Sequence, residues 1–254
     1  MHIIELINLT KFYRGLKAVD DVNISVKEGI IFGFLGPNGA GKTTTIKMMA
    51  GILRPTKGKI IINGMDLAKD PSGVKRCSGF IPDRPFLYEK LTGIEFLRFL
   101  SGLYGLDNSP SINIKLMERL ELFDLTYWKD ELIESYSHGM KQRLVMCGAL
   151  VHDPKVLIVD EPMVGLDPKG ARLVKNIFRE QAHKGKTIFM STHSLETAQE
   201  VCNEIAIIQA GRIIATGTVD ELRENAGVDG NLENAFLKLT EGLGIAHEKP
   251  LSSS

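Results

Sequence analysis

Cysteine is scarce and scattered in this chain: Cys77, Cys147 and Cys202 are odd in number, far apart and form no C-x-x-C pair. That excludes a disulfide or zinc framework and fits a reduced, cytoplasmic setting in which the thiols are buried and free. An excess of charge is missing too, since 31 basic and 31 acidic residues cancel to a formal net charge of +0. Bulk electrostatics therefore advertises neither nucleic acid nor an anionic membrane as a partner. No run of about 18 apolar residues exists, and residues 1–6 include His2 and Glu5 where a secretory leader would be apolar. We expect a chain that neither spans nor crosses a membrane by itself. No internal repeat is found. What remains, at 254 residues and 43% hydrophobic content, suffices for one large α/β domain, or one with an inserted lobe, around a sizeable core.

What is present is organised around residues 36–43, G-P-N-G-A-G-K-T, set between an apolar run at 30–35 and a helix-like run at 44–53. This is a phosphate-binding loop. Its glycines allow a backbone arc with N–H groups turned inward; Lys42 can reach the outer phosphates and the Thr43 hydroxyl can hold Mg2+.

Along the chain, residues 3–9 and 18–26 read as strands joined by a polar segment at 10–17 that contains Tyr13. An exposed aromatic there either packs or stacks on a flat partner. Residues 58–62 form a β-branched run ending in Asn63-Gly64, a hairpin signal. Phe80-Ile81 ends in Pro82-Asp83-Arg84-Pro85, where two prolines enforce a loop. From Thr92 to Phe123 the spacing is helical, with a break at Asp107-Asn108-Ser109-Pro110. We therefore expect a helical lobe from residue 86 onward, with Trp128, the single tryptophan, in its core. Residues 156–159 form an uninterrupted apolar strand, as expected for a central parallel strand, ending in Asp160-Glu161-Pro162; residues 186–191 repeat the pattern and end at Thr192-His193. A hairpin at 204–216 and short helices at 219–226 and 232–240 follow, before a tail at 242–254 with little to bury.

Carboxylates at the carboxyl edge of a parallel sheet face the crevice where ligands bind. Asp160 can hold Mg2+ there, directly or through water, and Glu161 can polarise a water; the His193 ring, on the same edge, could hydrogen-bond a γ-phosphate. Ser137 resembles an N-cap, and Gly139 leaves N–H groups open at the start of the helix at 140–150, a second anion site. In order and spacing, residues 36–43, 137–142, 156–162, Gly165-Leu166-Asp167-Pro168 and Ser191-Thr192-His193 resemble the ATP-binding cassette (ABC) ATPases, over residues 3–239.

The resemblance implies an α/β P-loop NTPase fold with a mainly parallel sheet and an N-terminal antiparallel β subdomain. It implies an ATPase domain at 1–241, an inserted α-helical subdomain at about 86–150, and a disordered tail at 242–254. It implies ATP and Mg2+ as cofactors, with Gly36, Pro37, Asn38, Gly39, Ala40, Gly41, Lys42, Thr43 and Thr44 around the phosphates. Thr43 and Asp160 would hold the metal, Glu161 would be the general base, and His193 would contact the γ-phosphate. Tyr13 falls where relatives carry the aromatic that stacks on adenine. Two such subunits would pair head to tail, Ser137 and Gly139 of one closing on the ATP of the other, with Asp167 linking the halves. A separate membrane permease would be the partner, with no nucleic acid, at the cytoplasmic face of the cell membrane.

Y-S-H-G-M-K-Q in place of the usual L-S-G-G-Q looks like the bacterial single-cassette, exporter-type branch. Asp83 stands where the family usually carries Gln, or Glu in this branch; being shorter, it favours a water-mediated metal contact. Residues 84–90 and the helix after Thr92 would form the surface on which the permease docks. The rival readings are a non-transport cassette ATPase acting on ribosomes or DNA, and a small-molecule P-loop kinase or GTPase. The first usually brings tandem cassettes or coiled-coil inserts, and the second leaves Ser137-x-Gly139 and His193 unexplained.

Overall fold

The computed structural model describes residues 2–84, 86–107, 109–228 and 231–241. Pro85 and Asn108, from the two expected breaks, and the expected tail at 242–254 lie outside them. The chain opens with a long hairpin, β1 (His2–Tyr13) and β2 (Leu16–Lys27), paired antiparallel down to Tyr13 opposite Leu16. The expected connecting loop at 10–17 is therefore mostly strand. Arg14 and Gly15 both take positive φ, 42° and 90°, so a two-residue turn closes the ladder and leaves the polar residues on strands. Tyr13 ends a strand and is not part of a loop.

Next come β3 (Ile31–Leu35) and α1 (Lys42–Met49). The expected helix at 44–53 stops early because Gly51 adopts φ 68° and the amides of Ile52 and Leu53 turn back to the Lys47 carbonyl. β4 (Lys57–Ile62) and β5 (Met65–Asp66), turning at Asn63-Gly64, complete an antiparallel sheet of order β2-β1-β4-β5.

The second sheet is built from distant parts of the chain. After α2 (Pro71–Cys77), which the sequence reading omits, comes β6 (Ser78–Ile81). Three helices follow: α3 (Gly93–Leu103), opened by a Thr92/Glu95 capping box, α4 (Pro110–Leu122) and α5 (His138–Ala149). Then come β7 (Val156–Asp160), α6 (Pro168–His183), β8 (Thr187–Thr192), α7 (Leu195–Val201), β9 (Glu204–Gln209), β10 (Arg212–Gly217), α8 (Val219–Ala226) and α9 (Leu232–Glu241). The order is β10-β9-β3-β8-β7-β6, with all neighbours parallel except β10 on β9.

The all-apolar stretch of β7 is explained by its two covered faces. Val156 and Ile158 join Phe32, Phe34 and Phe189 against α1 and the antiparallel sheet, while Leu157 and Val159 face α6 and the helical lobe. The Phe32 and Phe189 rings stack at 5.4 Å, and truncating either to alanine would cost about 3–5 kcal/mol. Two core expectations need correction. Trp128 is 39% exposed: Asp124 turns the chain at φ 56°, and Phe123 and Leu125 take the buried seats. Of the three free cysteines, Cys147 is fully enclosed but Cys77 and Cys202 are partly exposed.

His152 ties the lobe to the sheet. Its ring stacks on Tyr104 at 3.7 Å, beyond the end of α3, and its Nε2 lies 3.0 Å from the Ser78 carbonyl of β6. Burial holds its pKa below the usual histidine value. A depressed folded-state pKa contributes stability above the unfolded value of about 6.5 that is lost as pH falls. Urea unfolding midpoints should accordingly drop between about pH 7.5 and about pH 5.5, and His152→Gln should flatten that drop. An unchanged slope would remove His152 as its source.

Candidate active site

Strand register brings the site together. Leu35 of β3 lies opposite Thr192 of β8, Asp160 of β7 opposite Ser191, and Ile81 of β6 opposite Val159, so these strands end nearly flush. The residues that follow them, Gly36, Glu161, His193 and Asp83, therefore leave one edge of the sheet together. A cavity of about 290 Å³ opens there, lined by the phosphate loop, Asp83, Glu161 and His193.

The loop is seated by backbone packing. A Cβ on Gly36 would fall 2.3 Å from the Ile208 carbonyl oxygen, and one on Gly41, at φ 107°, 2.4 Å from that of Ala18. The Gly211 amide of the β9–β10 turn donates to Ala40 at 3.0 Å. No side chain caps α1, so its first amides are left for an anion. Lys42 is 5% exposed; its Nζ donates to the carbonyls of Gly36 at 2.7 Å and Pro37 at 3.1 Å, and stands 3.5 Å from Glu161 Oε1.

The two carboxylates have different surroundings. Asp160 is buried, and burial is the chief cause of its raised pKa; hydrogen bonds from Ser191 and Thr43 oppose the shift, and the charges of Asp83 and Glu161 add to it. Glu161 faces the cavity with its backbone in the left-handed region at φ 48°. Its amide donates to Ser191 Oγ at 3.1 Å, and its Oε2 is 2.9 Å from His193 Nδ1. The buried Asp160 carboxylate with the partly exposed Thr43 hydroxyl and Asp83 carboxylate offers the oxygen-donor chemistry of a hard divalent cation. Among the described residues no three His, Cys, Asp or Glu side chains form a full metal cage. Mg2+ needs none, because it keeps waters and takes phosphate oxygens.

Of the sequence-derived candidates, Pro37, Asn38, Gly39, Gly41, Lys42, Thr43, Thr44, Asp83, Glu161 and His193 line the cavity. Gly36 and Ala40 lie in the same loop, and Asp160 lies behind the wall. Tyr13 does not line it: it sits at the hairpin tip, 43% exposed, with Lys11 Nζ 5.4 Å from its ring centroid. Nor do Ser137, which caps α5 by accepting from the Met140 amide, and Asp167, which caps α6 by accepting from Gly170. Gly139 is in the first turn of α5, away from the cavity. Ala18 and Val164 line the cavity without having been anticipated. Ser191, to which its motif assigns no role, bonds both carboxylate-bearing residues; its place directly before Thr192-His193 is the signal the sequence offers.

A strand, a glycine-rich loop, an anion-ready helix and paired strand-end carboxylates define a P-loop nucleotide-hydrolysing domain. Residues 19–164 match the family described as "ABC transporter". The chain belongs to that family, as its ATP-binding, ATP-hydrolysing cassette. It is 38% identical over 241 residues to the "Probable multidrug ABC transporter ATP-binding protein YbhF" of Escherichia coli (strain K12), covering 93% of this chain but 41% of that one. It is 39% identical to the "Bacitracin transport ATP-binding protein BcrA" of Bacillus licheniformis, covering 87% and 72% of the two chains. The "ABC-type transporter ATP-binding protein EcsA" of Bacillus subtilis (strain 168) is 34% identical, with 95% and 98% covered. A solved structure titled "Structure of ATP binding subunit of ABC transporter" superposes with a TM-score of 0.87 at 36% identity, covering 94% and 99%. These relatives are named for transport, which leaves the ribosome- or DNA-acting alternative without support.

Ser191→Ala should lower the ATP turnover number about 10- to 100-fold, by loosening both carboxylates, while ATP affinity stays near that of the unaltered chain. Steady-state kinetics beside equilibrium ATP titration would check the split; a loss confined to affinity would refute the positioning role.

Proposed function

We propose that this chain is the ATPase subunit of a bacterial membrane exporter, working as a head-to-tail pair at the cytoplasmic face of the cell membrane. The observation that carries the pairing is the division of the candidates. Lys42, Glu161 and His193 meet at one cavity, while Ser137 and Gly139, on a capped helix start suited to anions, lie outside it. A second copy supplies that helix start to the ATP of the first.

In this reading the phosphate loop and the α1 amides hold the phosphates, and Lys42 exchanges the Gly36 and Pro37 carbonyls for phosphate oxygens. Thr43 and Asp160 would hold Mg2+, with Asp83 placed to reach it through water; such an ion would supply positive charge against the phosphates. Glu161 accepts a proton from the attacking water, and His193, hydrogen-bonded to that carboxylate, orients it and meets the γ-phosphate. Tyr13 stacks on adenine and Asp167 links the halves. ATP favours the closed pair because its γ-phosphate gains contacts in that state, and hydrolysis removes them. The names of YbhF and BcrA, a probable multidrug transporter's and a bacitracin transport protein's, support a drug-like cargo.

The permease docks beside the expected segment at 84–90. Phe86 is 84% exposed and meets Tyr88 edge-on, and Tyr88 meets Phe99 of α3. A nearby groove of about 700 Å³ has Leu100, Leu103 and Tyr104 on one wall and Lys75 and Arg76 on the other. That pairing suits an amphipathic helix carrying an acidic residue.

Glu161→Gln should retain ATP binding, lose about 10²- to 10⁴-fold in hydrolysis, and dimerise on ATP addition in size-exclusion chromatography. A variant that turns over normally, or stays monomeric with ATP, would defeat the reading. Photo-cross-linking from positions 86 and 103 in cells should capture a polytopic membrane protein, more weakly after Lys75→Glu with Arg76→Glu. Capture from the β1–β2 hairpin in its place would put the docking surface elsewhere.

A further inference from the structure

The start of α5 touches the turn that carries Glu161. His138 is the first residue of that helix. A Cβ built on Gly165 would fall 2.3 Å from His138 Cδ2 and 2.4 Å from Nε2, so the edge of the imidazole occupies the space a side chain there would need. The contact continues one residue along, where a Cβ on Gly139 would meet Leu166 Cδ2 at 3.6 Å and the Gly165 carbonyl oxygen at 3.7 Å.

That turn has little slack. Val164 donates to the Glu161 carbonyl at 3.2 Å, Leu166 to that of Met163 at 3.3 Å, and the Asp167 carboxylate accepts from Gly170 at 3.0 Å. Glu161, at φ 48°, is fixed from the other side by its amide bond to Ser191. A displacement at Gly165 therefore has two short turns through which to reach Glu161 and Asp167.

We propose that His138 is a positioning residue whose ring, seated against Gly165, ties the start of α5 to Glu161 within one subunit. Capture of the partner's γ-phosphate at Ser137 and Gly139 then sets the geometry of the subunit's own Glu161, so the two ATP sites of the pair are read by each other. This rests on the two-chain reading above and goes beyond it by naming the intrachain contact.

His138→Ala should lower the turnover number about tenfold, with ATP affinity of the single chain and melting temperature unchanged. His138→Phe, which keeps a flat ring over Gly165 without ring nitrogens, should keep most of the turnover. Gly165→Ala should be impaired, and adding it to His138→Ala should cost less than the product of the two effects, since both cut one contact. Full turnover in His138→Ala, a Phe variant as slow as the Ala variant, or multiplicative losses would overturn the proposal; the two His138 variants decide it even if Gly165→Ala fails to fold. ATP-driven dimerisation of Glu161→Gln, assayed alongside, separates the failures: dimers with multiplicative losses sink this contact alone, and absence of dimers sinks the pairing as well.

Discussion

Everything at the site depends on parallel strands ending at the same height. Backbone pairing sets Leu35 beside Thr192 and Asp160 beside Ser191, and one residue further on the chain has no ladder to obey. Those first free residues, Gly36, Glu161 and His193, are the ones to which we assign the chemistry. A register slip in β7 would turn Asp160 toward the opposite face of the sheet, because strand side chains alternate. The fully apolar interior of β7, packed on both faces, makes such a slip costly. Stability of the sheet and precision of the site therefore have one physical origin.

The charges at that edge are arranged around a shortage of cation. The charges of Asp83 and Glu161 both act on Asp160, and the Lys42 ammonium stands close to Glu161. Ser191 moderates the crowding by bonding the Asp160 side chain and the Glu161 amide at once. Such a cluster favours whatever brings positive charge between the carboxylates while bonding Lys42 elsewhere, and a magnesium nucleotide does both.

Features written in consecutive residues were legible in the sequence: the phosphate loop, the apolar strands at 156–159 and 186–191 with their polar ends, and the helical lobe. Features decided by distant contacts were less so. The polar stretch at 10–17 is strand because Arg14-Gly15 closes the tightest available turn, which hydrophobic spacing does not reveal. Trp128 lost its core seat to Leu125 once Asp124 reversed the chain. The sequence reading omits α6, although Val174, Ile177 and Phe178 form its buried stripe. Ser191 escaped because a serine at a strand end is ordinary until its two partners arrive from β7.

The seating of the phosphate loop also bears on the order of synthesis. Residues 36–43 leave a ribosome well before residues 187–209, yet β3 finds both its neighbours only in β8 and β9. The amide that holds Ala40 belongs to Gly211, and the carbonyl packed on Gly36 belongs to Ile208. Until β8, β9 and the turn at Gly211 have been made, a nascent chain therefore carries the complete phosphate motif without the walls that shape it. Nucleotide capture becomes a late event in biogenesis, reserved for a cassette whose second half has already folded back onto its first.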